Sequence, residues 1–346
     1  MQKITLGRSD ITVTDWCLGT MTYGNQTDRD DAYAQIDMAL DAGINFLDTA
    51  EMYPVNPIRA ETVGLSETIV GEWIAKSGRR SEVVIATKVS GNNPGWVRDG
   101  RGYDGAIIRQ TVDASLRRLQ TDVIDLYQMH WPERGSYAFR QNWSYDPSGQ
   151  DRQRTMDHML DVLEALDDCV KAGKIRAIGM SNESAWGMTK WVDQATAAGL
   201  PRMVSVQNEY SLLCRLYDTD MAEMAVNEDV TLLSYSPLAC GLLTGKYQHD
   251  VPAGSRLSIN GNLGGRMTPR TLPVTQVYLD LARDHGVDPV HMAMAWQATR
   301  PFPVSAIFGA TTKEQLSHIL AGRDIVLTDD LLAAIEAAHK ANPMPY

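Results

Sequence analysis

Cysteine is scarce. The 346 residues hold four, Cys17, Cys169, Cys214 and Cys240, far apart and without a CxxC pair. A disulfide framework or a cysteine zinc site is therefore a poor reading, and the reducing cytoplasm is the expected home. Long apolar runs are missing too, since no segment approaches the roughly 18–20 uncharged apolar residues that a membrane span needs. The opening MQKITLGRSDITV is polar and strand-like, unlike a secretory leader. Positive charge is in deficit: 32 Lys plus Arg stand against 43 Asp plus Glu, a formal net charge of −11. Such a surface argues against nucleic-acid and anionic-membrane partners. The seven histidines show neither HxH nor HExxH spacing, so no metal is expected and a metal-dependent hydrolase is a weak candidate. No GxGxxG joins a strand to a helix, which argues against a Rossmann domain. Repeats, low-complexity tracts and linkers are absent, so residues 1–346 are read as a single domain.

What is present is enough apolar material for a sizeable core, at 44%. β-branched runs recur at 15–20, 44–48, 82–88, 122–130, 175–181, 203–207, 230–236 and 304–309, with helix-like stretches between them. DRDDAYAQIDMALDAG places acids in its first turn and Gly43 where a cap belongs; residues 104–119 and 155–173 show a similar apolar stripe. Eight alternations favour an α/β fold closed as a (β/α)8 TIM barrel, typically ~250 residues before insertions, over an open doubly wound sheet. The surplus length is assigned to an N-terminal β-hairpin from Ile4 to Val13, an extra C-terminal helix near 328–340, and long loops at the C-terminal face. Those loops follow the third, fourth and seventh candidate strands.

INFLDTAEMY raises a particular question. Read as extended, it puts Ile44, Phe46 and Asp48 on one face, so a core strand ends on a charge with a phenol, Tyr53, just beyond. In such a barrel the active site lies at the C-terminal strand ends. Asp48, Tyr53, Lys88 and His130 all map there. Singly, each has an ordinary explanation as a turn former, a packing ring, a snorkelling lysine or a core histidine. Together, on three neighbouring strand ends, they make a proton-transfer set.

The motifs GTMTYG, GINFLDTAEMYP, VVIATKVSG, LQTDVIDLYQMHWPER, GKIRAIGMSNESAWG, VQNEYSLL, YSPLACGLLTGKY and GATTKEQL resemble the aldo-keto reductase family, a resemblance that runs from about Ile4 to His339. The branch they resemble holds the Tas-type reductases and the potassium-channel β subunits. The resemblance implies NADPH-dependent reduction of aldehydes or ketones, with Asp48, Tyr53, Lys88 and His130 as the catalytic tetrad. The chemistry is consistent with this: a carbonyl accepting hydride needs a proton donor at its oxygen. A tyrosine, with a reference pKa of ~10, is expected to be lowered by an adjacent lysine that a carboxylate keeps charged.

The resemblance further assigns Ser181, Asn182 and Gln207 to the nicotinamide carboxamide of NADPH/NADP+, and Tyr235 to stacking on its ring. Ser236, Pro237, Leu238 and Gly241, with Lys246 and Arg256, would follow the pyrophosphate and ribose. Gly309, Thr311 and Gln315 would close over the adenosine end. Ile319 stands where relatives often carry an asparagine toward adenine, and His318 beside it is the candidate replacement. Trp131, next to His130, is the expected substrate wall, within two loops (91–105 and 131–151) that hold Trp96, Tyr103, Tyr137, Phe139, Trp143 and Tyr145 as well. The partner implied is a small-molecule carbonyl. The alternative is a redox-sensing regulatory subunit that binds NADP(H) and turns over slowly. Oligomeric state is not legible in the chain.

Overall fold

The computed structural model describes residues 1–346. It opens on an antiparallel pair, β1 (Lys3–Thr5) and β2 (Thr12–Thr14), with Ile4 opposite Val13. The barrel begins at β3 (Trp16–Gly19), followed by α1 (Arg29–Asp41), β4 (Phe46–Asp48), α2 (Leu65–Ser77) and β5 (Val84–Val89). Next come α3 (Gly105–Leu119), β6 (Ile124–Met129), α4 (Arg152–Lys171), β7 (Ile175–Ser181) and α5 (Ala185–Ala198). β8 (Met203–Glu209), α6 (Asp220–Glu228) and β9 (Thr231–Tyr235) precede a long connection with α7 (Arg256–Asn260), α8 (Thr271–Asp284) and α9 (Pro289–Gln297). β10 (Val304–Phe308), α10 (Lys313–Ala321) and α11 (Asp329–Ala341) complete the chain.

Strands β3 to β10 form a closed parallel barrel in which β10 pairs with β3, as the eight alternations predict. The helices number eleven, against the nine expected, because the β9–β10 connection folds α7 and α8 within itself. α8 packs against α11. Side-chain caps set where the helices begin: Asp104 accepts from the Ile107 N–H, Ser184 from Gly187 and Thr312 from Gln315. Each such cap is worth about 1 kcal/mol, and the caps Ser184 and Thr312 lie within four residues of the preceding strand end.

The two-residue period of the strands divides the barrel interior into two levels. The lower level is apolar: Cys17, Phe46, Ala86, Leu126, Ala177, Leu233 and Ile307 cluster there with Leu6, Ile11 and Val13, which the N-terminal ribbon supplies as a floor. Two residues further along the same face, Phe46 leads to Asp48, Ala86 to Lys88, Leu126 to Gln128 and Leu233 to Tyr235. The upper level is therefore polar. Alternate residues such as Leu47, Ile85, Tyr127 and Leu232 join the larger cluster facing the helices. One expectation fails: Ile44 lies before β4 starts, and it packs in that outer cluster instead of sharing a face with Phe46. The turn after α1 sets this, because the chain is not extended until Phe46.

No helix is long and apolar enough to cross a membrane.

Candidate active site

Asp48 ends β4, Lys88 sits one residue from the end of β5, and His130 follows β6 directly, so three adjacent strands deliver three side chains to the mouth. Lys88 is fully buried and Asp48 is 2% exposed. The Lys88 ammonium donates to Asp48 Oδ2 at 2.6 Å, the Thr49 carbonyl at 2.8 Å and Tyr53 Oη at 3.4 Å. An ammonium has three N–H donors and no acceptor, so these partners use it completely. Asp48 Oδ1 in turn accepts from Gln207 Nε2 at 2.9 Å and Gln128 Nε2 at 3.3 Å. A strand can end on a charge here because both carboxylate oxygens of Asp48 are hydrogen-bonded, one of them to a buried ammonium.

Tyr53 accepts from Lys88, which leaves its own O–H to point elsewhere. Its ring meets the His130 ring edge-on, with centroids 5.6 Å apart. The His130 backbone is tied at both ends: its N–H donates to the Val89 carbonyl at 2.9 Å, and its carbonyl accepts from Asn182 Nδ2 at 2.9 Å. His130 Nδ1 is buried without a partner.

The electrostatics revise one expectation. Burial pushes the Tyr53 phenol up, and although Lys88 pulls it down, the net direction is upward. The lysine does not bring the phenol toward neutrality as expected, because a largely buried phenolate loses more hydration than one ammonium restores. Tyr53 is thus a protonated donor. Burial would lower Lys88, but Asp48 and Tyr53 carry it above its ordinary value, so it stays charged. Burial, aided by the Lys88 charge, holds His130 well below the usual imidazole range, so its ring is neutral.

The residues assigned to the cofactor line the adjoining strand ends. Ser181 Oγ donates to the Gln207 carbonyl at 2.8 Å, and Asn182 Nδ2 donates to Ser181 Oγ at 3.0 Å. Tyr235 Oη donates to Asn182 Oδ1 at 2.8 Å. Gln207 has a second task that the sequence reading did not give it, holding Asp48. Beyond β9, Ser236, Ala239, Cys240 and Gly241 all have positive φ, curling the loop that also carries Pro237 and Leu238. A Cβ at Gly241 would meet Lys246 Cε at 2.8 Å, so the lysine stem lies directly on this loop. Arg256 reaches only sulfur, Cys240 Sγ at 3.2 Å and Met21 Sδ at 3.7 Å. Neither Lys246 nor Arg256 has a carboxylate partner, and two unpaired cations beside a curled loop fit a bound pyrophosphate or phosphate.

Gly309 follows β10, where a Cβ would press to 3.1 Å from the Gly19 carbonyl. Thr311 N–H donates to Gln315 Oε1 at 3.0 Å, joining the two residues expected at the adenosine end. Ile319 is buried on the core face of α10, and His318 turns toward Asp288, so neither is free for adenine in this arrangement.

Trp131 stacks obliquely on His130 with centroids 4.9 Å apart and packs with the cluster around Tyr53, as does Trp96. Phe139 touches Trp131 edge-on at 6.0 Å. Tyr137 lines a small cavity beside Asn182 and Tyr235. The expected aromatic wall is smaller than seven rings: Trp143 is 70% exposed, Tyr145 accepts from Gln150, and Tyr103 is buried beneath Trp131, donating to its carbonyl.

Sequence reasoning missed two features. Gln128 braces Asp48 from β6; its signal was the strand's one amide, two residues beyond Leu126 on the inward face. Glu209, at the end of β8, accepts from Arg140 at 3.0 Å and Arg266 at 2.8 Å, beside the C-terminal Tyr346, which is buried at the mouth. No local pattern marks a contact between residues so far apart in the chain.

Comparison with known proteins gives a consistent picture. Residues 16–340 match the model of the Aldo/keto reductase family. The chain is similar to Protein tas of Escherichia coli (strain K12), 43% identical over 350 residues covering 100% of this chain and 99% of that protein. It is 33% identical to the uncharacterized oxidoreductase YrpG of Bacillus subtilis (strain 168), over 96% of this chain and 94% of the relative. A probable voltage-gated potassium channel subunit beta of Arabidopsis thaliana is 29% identical, with 99% and 98% covered.

Proposed function

This chain belongs to the aldo/keto reductase family, and from that premise we propose that it is an NADPH-dependent reductase of aldehydes and ketones. The observation that carries the reading is the buried ammonium of Lys88, held at 2.6 Å by Asp48 and at 3.4 Å from the Tyr53 hydroxyl. Bound NADPH supplies the hydride that reduces the carbonyl carbon. Tyr53 gives its O–H proton to the carbonyl oxygen as the C=O π bond becomes a C–H and an O–H bond. Lys88, kept charged by Asp48, stabilises the phenolate left behind until solvent returns the proton. His130, neutral, orients the carbonyl oxygen with one N–H. Ser181, Asn182, Gln207 and Tyr235 form the nicotinamide end of the site. Four unpaired cysteines support a reducing compartment such as the cytoplasm. The experiment is a panel of aldehydes and ketones with NADPH, following cofactor consumption and alcohol formation together; no alcohol from any member would end the proposal.

Arg256 is the proposed reader of the 2′-phosphate, with Thr311 and Gln315 assisting. A charge-assisted hydrogen bond contributes ~1.5–3 kcal/mol, roughly 10- to 150-fold in affinity. Arg256→Ala is expected to weaken NADPH by that factor and NADH far less, as measured by fluorescence titration of both. Equal weakening of the two would remove Arg256 from this role.

Trp131 is the proposed selecting wall, favouring aromatic or medium-chain aldehydes over small hydrophilic sugars. Losing one ring contact of ~0.5–1.5 kcal/mol shifts selection about 2- to 10-fold. Trp131→Ala is expected to lower the ratio of kcat/KM for a nitrobenzaldehyde to that for an aldose by this amount. An unchanged ratio would clear Trp131 of the role.

A second reading, a cofactor-sensing regulatory subunit with slow turnover, is favoured by the similarity to the potassium channel subunit of Arabidopsis.

A further inference from the structure

Away from the barrel mouth, α9 and α10 bring together three side chains that the proposed reaction does not use. Asp288 caps α9: its Oδ1 accepts from the Val290 and His291 N–H groups at 2.8 and 3.2 Å. Its second oxygen, Oδ2, faces His318 Nε2 across 3.1 Å. His291, in the first turn of α9, sets its ring edge-on to that of His318, with centroids 5.1 Å apart. One ligand atom from each of Asp288, His291 and His318 lies within 4.8 Å of the others. Gly322 makes room for this, since a Cβ there would stand 2.4 Å from His291 Cδ2.

We propose that Asp288, His291 and His318 bind one divalent transition ion, zinc being the probe, which clamps the start of α9 to α10. Two imidazoles and a carboxylate suit zinc, nickel, cobalt or copper, whereas magnesium and calcium prefer all-oxygen shells. Metal–ligand bonds of ~2.0–2.1 Å in a tetrahedron separate neighbouring ligand atoms by about 3.3 Å. The Asp288–His318 pair already stands at 3.1 Å, so the ion takes the place of the proton they share, and only His291 has to swing inward. Water fills the fourth position. A surface ion pair between His318 and Asp288 alone would contribute only ~0–1 kcal/mol, and His291 Nε2, which meets the His318 carbonyl at 2.7 Å, keeps its ring beside that pair.

The motif escapes a sequence scan because DPVH offers only two ligands, three residues apart, and the third comes from the next helix. The same contacts account for His318 turning away from the adenosine end. α10 follows the turn that carries Thr311, with Gln315 in its first turn, so the ion braces that element without touching Asp48, Tyr53, Lys88 or His130.

The test is calorimetric titration of the metal-free full chain with zinc chloride, together with thermal denaturation with and without zinc. The expected result is saturable binding of one ion per chain and a raised melting temperature. His318→Gln and His291→Gln should each weaken binding at least about 10-fold. Asp288→Asn should do the same while keeping the helix cap, because asparagine caps as well as aspartate. Its zinc-free melting temperature should therefore match wild type. His285→Gln, an exposed control, should leave binding unchanged. Absence of saturable binding overturns the proposal, as does full affinity in His318→Gln and His291→Gln.

Discussion

Tyr53→Phe is expected to lower kcat for carbonyl reduction about 10²–10⁴-fold, the usual worth of a positioned general acid, while NADPH affinity stays nearly unchanged. The substitution removes one oxygen from the reacting end of the site. It leaves the Asp48–Lys88 pair, whose 2.6 Å contact does not depend on Tyr53. The ring remains to pack against His130 at 5.6 Å, so a loss of rate reflects the missing proton, not a rearranged mouth. Steady-state kinetics and cofactor fluorescence titration separate the two effects. Because burial holds the phenol above its ordinary value, the donor form persists through neutral pH. The alkaline limb assigned to Tyr53 should appear only above pH ~10. Wild-type turnover in the variant would remove Tyr53 as the acid.

Asp48→Ala is expected to cost about 3–5 kcal/mol of folding stability, because it leaves the Lys88 charge buried without its partner. Lys88 is fully buried and Asp48 is 2% exposed, so solvent does little to screen the loss. The pH dependence gives the effect a signature. In the wild type, burial pulls Lys88 down, and Asp48 and Tyr53 outweigh it, leaving its pKa raised. A raised lysine contributes stability that is complete at neutral pH and is lost only as pH climbs through the folded value. Without Asp48, burial dominates and the lysine is depressed. The unfolded state then binds more protons, and the variant gains stability as pH rises. Urea denaturation between pH 7 and 10 should show the deficit narrowing. A deficit below about 1 kcal/mol, the range of exposed pairs, would mean that the dyad is not an isolated buried pair.

How the site can be read from the chain follows from the barrel itself. Phe46 and Asp48, Ala86 and Lys88, Leu126 and Gln128 are each two residues apart, so once the strands are recognised the polar upper level follows from the alternation. The N-terminal ribbon announced itself through its turn, and it floors the barrel interior. The direction of the Tyr53 shift was not legible, since it depends on how completely the mouth encloses the phenol. Nor was the bracing of Asp48 by Gln128 and Gln207, whose amides approach it from strands 80 and 159 residues away in sequence. The Arg140–Glu209–Arg266 cluster with Tyr346 likewise arises from the long β9–β10 connection and the C-terminal tail folding back over one end of the barrel. α7, five residues long, was hidden in a stretch rich in glycine and polar residues, whereas α8 carries a helical stripe of Val274, Tyr278 and Ala282 that the long-loop reading passed over. Trp143 shows the limit of composition: an aromatic in the right loop still points to solvent if its neighbours take the pocket.

The central claim is that the dyad-supported Tyr53 makes this chain a reductase that turns over repeatedly. The direct measurement mixes enzyme with a large excess of NADPH and an aromatic aldehyde, and counts alcohol formed per chain against NADPH consumed. Many equivalents of alcohol at steady rate, matched one-to-one by NADPH and abolished in Tyr53→Phe, are the expected result. A single equivalent followed by arrest with tightly held cofactor would contradict it and favour the sensing subunit instead.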